Sequence, residues 1–154
     1  MGTQTLKYEV RESSLDELSP LIPLMTDHWE ESAKNKELMV LSPDYERYSE
    51  LEYQGGLVCL AAVAGGTIVG YSVNFLQPHL HYSELMCGYN DLIYVSPEYR
   101  ASPLGIRLIK KTREALKQKG ARLMLWHAKE NTTLDKLLPR MGCKVQETIY
   151  SEEL

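Results

Sequence analysis

Apolar and polar positions alternate in short blocks along this chain, and the period of each block changes at a Gly or Pro. Thr5 to Val10 reads as a first strand. Ser14-Leu15-Asp16-Glu17 has the spacing of a capping box, and it opens a helix whose apolar stripe is Leu15, Leu18, Ile22 and Met25. Pro20 and Pro23 are expected to kink or split that helix. A second, shorter helix is predicted over Pro43 to Tyr53, with Pro43 in the first helical position after Ser42 and Gly55-Gly56 as its end. Leu57 to Ala64 and Thr67 to Leu76 form two strands joined at Gly65-Gly66, a glycine pair suited to a tight hairpin. A loop containing Pro78, His79 and His81 follows, then a strand over Asn90 to Val95 that Pro97 stops. From Leu104, the apolar positions Leu104, Leu108, Ile109 and Leu116 recur at helical spacing among basic residues, and Gly120 ends that helix. Arg122 to His127 reads as a strand, Thr132 to Met141 as a helix with Gly142 past its end, and Cys143 to Ser151 as a final strand. The order is β-α-α-β-β-β-α-β-α-β, and no repeat or linker divides residues 1–154, so one α+β domain is expected.

Composition narrows the class. At 154 residues the chain can bury a core without a metal or disulfide, and 44% hydrophobic with 25% charged residues excludes disorder and coiled coil. The 17 Lys and Arg stand against 21 Asp and Glu, a net charge of −4, which argues against capture by nucleic acid or by an anionic membrane. Cys59, Cys87 and Cys143 form no C-x-x-C pair, and Met1 to Glu12 reads as no charged-then-apolar leader, so a reducing cytoplasm is expected. The longest apolar run, Leu57 to Ala64, is far short of the roughly 20 residues that span a bilayer. His79 and His81 share a face if extended, but no third ligand accompanies them at convincing spacing, so no metal is expected.

The most informative stretch runs from Asp91 to Ile106: a strand, a turn of small residues, then a basic helix. Such a junction binds phosphate when first-turn N–H groups point outward and a small residue, here Gly105, lets a diphosphate come close. Arg100 would add a side-chain contact. Taken alone, the same residues also describe an ordinary strand-to-helix turn.

Larger motifs separate the two. Ile93-Tyr94-Val95, Pro97-Glu98-Tyr99-Arg100 and Arg100-Ala101-Ser102-Pro103-Leu104-Gly105 match, in order, a strand ending Leu-Tyr-Val, a Pro-Glu-Tyr-Arg turn and the acyl-CoA signature (Gln or Arg)-x-x-Gly-x-(Gly or Ala). Asn131, Leu134, Leu137, Leu138 and Gly142-Cys143 follow a further pattern at matching spacing. In these motifs the chain resembles the GNAT superfamily of acyl-CoA-dependent N-acyltransferases, with three departures: Pro103 for the first signature glycine, Leu138 for a tyrosine and Cys143 for a phenylalanine. The resemblance implies a mixed, twisted sheet flanked by helices. It implies acetyl-CoA as co-substrate, lying in a splayed gap between Asn90 to Val95 and Arg122 to His127, with its pantetheine arm on the backbone of Ile93 and Val95. The diphosphate would sit on Arg100, Ala101, Ser102, Pro103, Leu104, Gly105 and Ile106, with Asn131 as a further contact.

The implied reaction is direct attack of a primary amine on the thioester, with Val95 N–H placed where charge develops. An alkylammonium has a pKa near ~10.4, so a proton acceptor must lie within reach at neutral pH. Asp91 is the candidate base, and a solvated strand-end carboxylate is the alternative. Leu138 leaves the family's general acid position vacant, and Tyr94 is the candidate substitute unless it packs in the core. His28, Trp29 and Glu31, beside Glu30, would border the acceptor and favour a cationic amine, or simply finish an amphipathic helix. Leu138 and Pro103 also admit a catalytically silent acyl-CoA sensor or protein-interaction module on the same scaffold, and a homodimer is compatible with either.

Overall fold

The computed structural model describes residues 6–18 and 22–154. Its elements are β1 (Tyr8–Ser13), α1 (Leu15–Leu18), α2 (Ile22–Ser32), α3 (Tyr45–Tyr53), β2 (Leu57–Ala64), β3 (Thr67–His79), β4 (Tyr82–Val95), a 3₁₀ turn (Pro97–Tyr99), α4 (Leu104–Gln118), β5 (Leu123–Leu125) and α5 (Thr133–Arg140). The sheet order is β1-β2-β3-β4-β5. The first four strands are antiparallel and β5 joins β4 in parallel, so the sheet is mixed and the fold is α+β as expected.

Local chemistry accounts for most boundaries. Gly65 and Gly66 both have positive φ (57° and 84°), the backbone a two-residue hairpin demands, and Ala64 pairs with Thr67 across it. At α1, Ser14 Oγ accepts from Glu17 N–H at 3.2 Å, but the Glu17 carboxylate turns to Arg11 and Ser13 instead of closing the box. The start of α3 differs from expectation: Asp44, not Ser42 and Pro43, caps it, accepting from Arg47 N–H at 3.0 Å. Thr5, Pro20 and the side chains of Ile22 and Pro23 lie outside what is described, and with them the expected kink.

Two expectations need correction. The β3–β4 hairpin is longer than the pattern suggests: Pro78 and His79 belong to β3, and only Leu80 and His81 turn. Pro78 is tolerated because β2 begins opposite Phe75. Leu76 N–H already meets Gly56 at that edge, so the missing Pro78 donor points where no strand runs. Conversely, residues 143–154 form no strand. Alternation fails at Ile149-Tyr150, both exposed, and β5 presents only three residues of edge to pair with.

Helix α4 packs its buried stripe (Leu104, Leu108, Ile109, Thr112, Ala115, Leu116) on one face of the sheet, while α1 to α3 cover the other through Leu15, Leu18, Tyr48 and Leu51. Between β3 and β4 the register slips by one: Val73 faces Leu92 but Asn74 faces Asn90, so Asp91 is an extra residue in β4. This bulge is held by a polar network buried under α4. Asn90 Nδ2 donates to Asn74 Oδ1 at 2.9 Å and to Leu92 O at 3.0 Å, bridging the extra residue. Asn74 Nδ2 donates to Val58 O at 3.0 Å and to Ser72 Oγ at 2.9 Å, and Thr112 Oγ1 donates to Ser72 Oγ at 3.1 Å. All four side chains are at most 1% exposed. Removing one partner strands the others without water. Asn90→Ala is therefore expected to destabilise the chain by about 2–3 kcal/mol in urea unfolding, and a loss below about 0.5 kcal/mol, the range of ordinary surface changes, would contradict the role given to the network.

Candidate active site

The bulge shapes the site by ending a ladder. Pairing between β4 and β5 covers only Cys87 to Tyr89 against Leu123 to Leu125, and beyond Tyr89 the two chains part. Ser96 N–H bonds Val69 O on the β3 side, so alternation puts the backbone groups of Ile93 and Val95 on the opposite edge, where no strand of the described residues lies. A cleft of about 550 Å³ opens along that edge. Its floor is Asn90 to Val95, one wall is α2 with the loop from Met39 to Pro43, and the other includes Gly105, Lys129, Thr132, Thr133, Leu134 and Leu137.

Asp91 and Leu92 both turn to the α1–α3 side, which strict alternation forbids and the bulge permits. There the Tyr48 hydroxyl donates to Asp91 Oδ2, fixing the carboxylate in the cleft wall. Burial, then this bond, pushes the Tyr48 hydroxyl well above the ordinary phenol range, so it stays a donor. Tyr94 is packed in the core, only 6% exposed, and also lines the cleft. Its ring stacks on His28 at 4.9 Å and 21°, and the Arg100 guanidinium lies 5.3 Å from its centroid. Burial raises its hydroxyl, with Arg100 opposing.

His28 Nδ1 lies 2.7 Å from the Tyr71 hydroxyl. Burial pushes the imidazole down to about 4. We assign the buried Tyr71 O–H as donor to Nδ1, leaving the proton of the neutral ring on Nε2. Trp29 donates from Nε1 to Met39 O at 2.7 Å, tying α2 to the apolar loop.

Two charges of the cleft, Arg100 and Glu31, pair with each other. Arg100 grips Glu31 with both terminal nitrogens, at 2.7 and 2.6 Å, and its Nε donates to Val95 O at 2.8 Å. The guanidinium hydrogen bonds hold the Glu31 carboxyl below its usual range. Glu30 pairs with Lys36 at 2.6 Å, away from the cleft wall. Lys129 donates from Nζ to the Ser32 carbonyl, and burial lowers its ammonium.

At the turn into α4, Pro103 is the N-cap, with φ −71°, and its carbonyl accepts the first helical bond from Arg107. Ser102 N–H already serves Tyr99 O at 3.1 Å and Leu104 N–H serves Ser102 Oγ at 3.3 Å, which leaves Gly105 and Ile106 as the first-turn amides free of helical acceptors. The Leu104 side chain is core and Ala101 is exposed. A Cβ on Gly105 would meet nothing within 4 Å. Neither packing nor backbone conformation requires glycine there, although alanine would favour the helix. Asn131, at φ 65°, sits outside the cleft wall with its N–H on Asp135 Oδ2 at 2.8 Å. Leu138 is buried behind it, and Leu134 and Leu137 face the cleft instead. His79 and His81 lie at the far β3–β4 turn, and among the described residues no group of three His, Cys, Asp or Glu is placed to hold a metal.

Tyr48, Tyr71, Lys129 and the loop from Met39 to Pro43 escape sequence reasoning, since nothing local marks them as facing one cleft.

The family model described as Acetyltransferase (GNAT) family matches residues 22–143. Compared by sequence with curated proteins, the chain finds no match. An acetyltransferase from Trypanosoma brucei superposes with a TM-score of 0.67 at 22% identity, covering 96% of this chain and 100% of that one. A ribosomal-protein-alanine N-acetyltransferase from Brucella melitensis biovar Abortus 2308 gives 0.70 at 17%, covering 96% and 99%. An aminoglycoside N-acetyltransferase in complex with CoA gives 0.69 at 18%, covering 100% and 99%. At these identities the likeness shows the fold.

The cleft makes a pH prediction. With the folded His28 near 4 and an unfolded His near ~6.5, the unfolded chain binds the extra proton between those values, so stability falls as pH drops from about 6.5 to about 4 and this contribution levels off below. NMR titration of the ring should give a midpoint near the lower value. A midpoint at the ordinary value would contradict its buried, neutral placement.

Proposed function

The chain belongs to the GNAT acetyltransferase family through the match over residues 22–143, and from that premise we propose that it moves an acetyl group from acetyl-CoA directly onto a primary amine. One observation carries this reading. An unpaired strand edge, Ile93 and Val95, leads to a helix start whose glycine has neither a packing nor a conformational reason to be glycine. An approaching diphosphate is such a reason: Gly105 leaves the space that a Cβ would fill, and the Gly105 and Ile106 amides supply donors at the positive end of the α4 dipole. The family relative seen with CoA supports the same co-substrate.

When bound, acetyl-CoA supplies an activated acyl group with a thiolate leaving group. The chain's own part is placement and proton handling. Val95 N–H lies on the open edge as donor to the developing oxyanion, while Val95 O is occupied by Arg100. Asp91, steadied by Tyr48, takes the proton from the incoming ammonium. The neutral amine forms the C–N bond as the C–S bond breaks. The sulfur takes a proton from Tyr94, a neutral phenol until then, or from water, and the second proton shed by the new amide nitrogen restores that donor; a thiol of pKa ~8.5 is a tolerable leaving group. Leu138 therefore does not require a silent scaffold. Free Cys59, Cys87 and Cys143 support a reducing, cytoplasmic setting.

Gly105→Ala should weaken acetyl-CoA binding at least about tenfold by calorimetry, because the close approach is lost, without lowering the thermal unfolding midpoint, because the added Cβ meets no protein atom within 4 Å. Unaltered affinity would contradict the diphosphate placement. Asp91→Asn should lower kcat/KM for amines by about 10²–10⁴ at neutral pH with coenzyme affinity retained. An undiminished rate would remove Asp91 as base.

A further inference from the structure

We propose that the acceptor is a primary monoamine carried on an apolar body, and that polycations such as polyamines and aminoglycosides are excluded. This rests on the acetyl-transfer reading above and names the substrate class for the same cleft.

Charge in the cleft wall decides how many ammonium groups it can hold. Four ionised side chains line it: Glu31 and Asp91 against Arg100 and Lys129, which sum to zero. Glu31 is fully engaged by Arg100 through two hydrogen bonds of 2.6–2.7 Å. Its neighbour Glu30 is held by Lys36, so neither glutamate at the end of α2, which in the sequence suggests a cationic pocket, is open, and Asp27, one turn earlier, acts on Tyr94 through its charge without lining the cleft. Asp91 alone among the described carboxylates of the wall has a hydroxyl, Tyr48, instead of a cation as its partner. One ammonium therefore finds a counter-charge. A second would have to lose water with no open carboxylate in the described wall, or displace Arg100 from Glu31, and it would also meet Lys129. The Trp29 indole, which can hold a cation on its face, already carries the Lys36 ammonium 5.2 Å from its centroid.

Apart from His28, Ser32, Ser42 and the tyrosines, what remains of the acceptor side is apolar: Met25, Trp29, Met39, Val40, Leu41 and Pro43. Met39 and Val40 are 54% and 69% exposed, an unusual exposure for two adjacent large apolar side chains on a cleft rim. The indole bond to Met39 O makes the loop and α2 a single surface. A body that covers this surface removes apolar area from water, and a polyhydroxylated or polycationic body does not.

The test is steady-state thiol release by the full chain with acetyl-CoA and three amines: phenethylamine, spermidine and kanamycin. We expect kcat/KM for phenethylamine to exceed that for either polycation by at least about tenfold. Val40→Asp, on an exposed loop, should erase that margin by weakening phenethylamine and admitting spermidine. A margin below about tenfold in the unaltered chain, or one untouched by Val40→Asp, overturns the proposal. If no amine releases thiol, the acetyl-transfer reading fails separately. Calorimetric titration of the same amines into the chain then decides the acceptor class. Phenethylamine tighter than both polycations by about tenfold supports it, and a smaller margin or no heat with any amine overturns it.

Discussion

The site depends on one buried contact, the Asn74–Asn90 side-chain pair beneath α4. Two amides sealed from water must satisfy each other, and here they do so only if β4 carries an extra residue at Asp91, because Asn90 also reaches over that residue to Leu92 O. The bulge bends β4 just past its last bond to β5, and the strands separate where the cleft begins. It also reverses the expected facing, sending Asp91 to Tyr48 on one side while keeping Ile93 and Val95 along the open edge. A backbone irregularity thus sets both the coenzyme-side edge and the acceptor-side carboxylate, and the network anchoring it lies in rigid core.

A second theme is charge cancellation. Arg100 stands where a diphosphate contact was expected, but three of its five N–H groups are committed to Glu31 and Val95 O. With Lys129 on the Ser32 carbonyl, the end of α2 is tied to both the β4–α4 and β5–α5 connections. The loops around the cleft are therefore held by ionic contacts, and those contacts remove the negative potential that the composition of α2 advertises.

Legibility from sequence followed the range of the interactions involved. The Gly65-Gly66 hairpin and the α4 stripe rest on contacts a few residues apart, so their patterns could be read directly. The ends of β3 and β4 could not, because Pro78 looks like a breaker until one knows that β2 has already stopped beside it. Cys143 to Ser151 forms no strand for another reason: its alternation breaks at Ile149-Tyr150, and β5 offers an edge of only three residues. Asp91, Tyr94 and Gly105, marked by the motif stretch, and His28, marked by its place at the end of the first helical region, all line the cleft, whereas Asn131 lies outside its wall. Tyr48 meets Asp91 from 43 positions away and Glu31 meets Arg100 from 69, distances over which no periodicity speaks.

The central claim is that the free edge of β4 and the first turn of α4 form one coenzyme surface. Amide NMR of the labelled chain titrated with CoA tests it residue by residue. The largest shifts should fall on Ile93, Val95, Gly105 and Ile106, with the β1–β2 amides still. Saturable binding that moves other amides and leaves those four unchanged would contradict it.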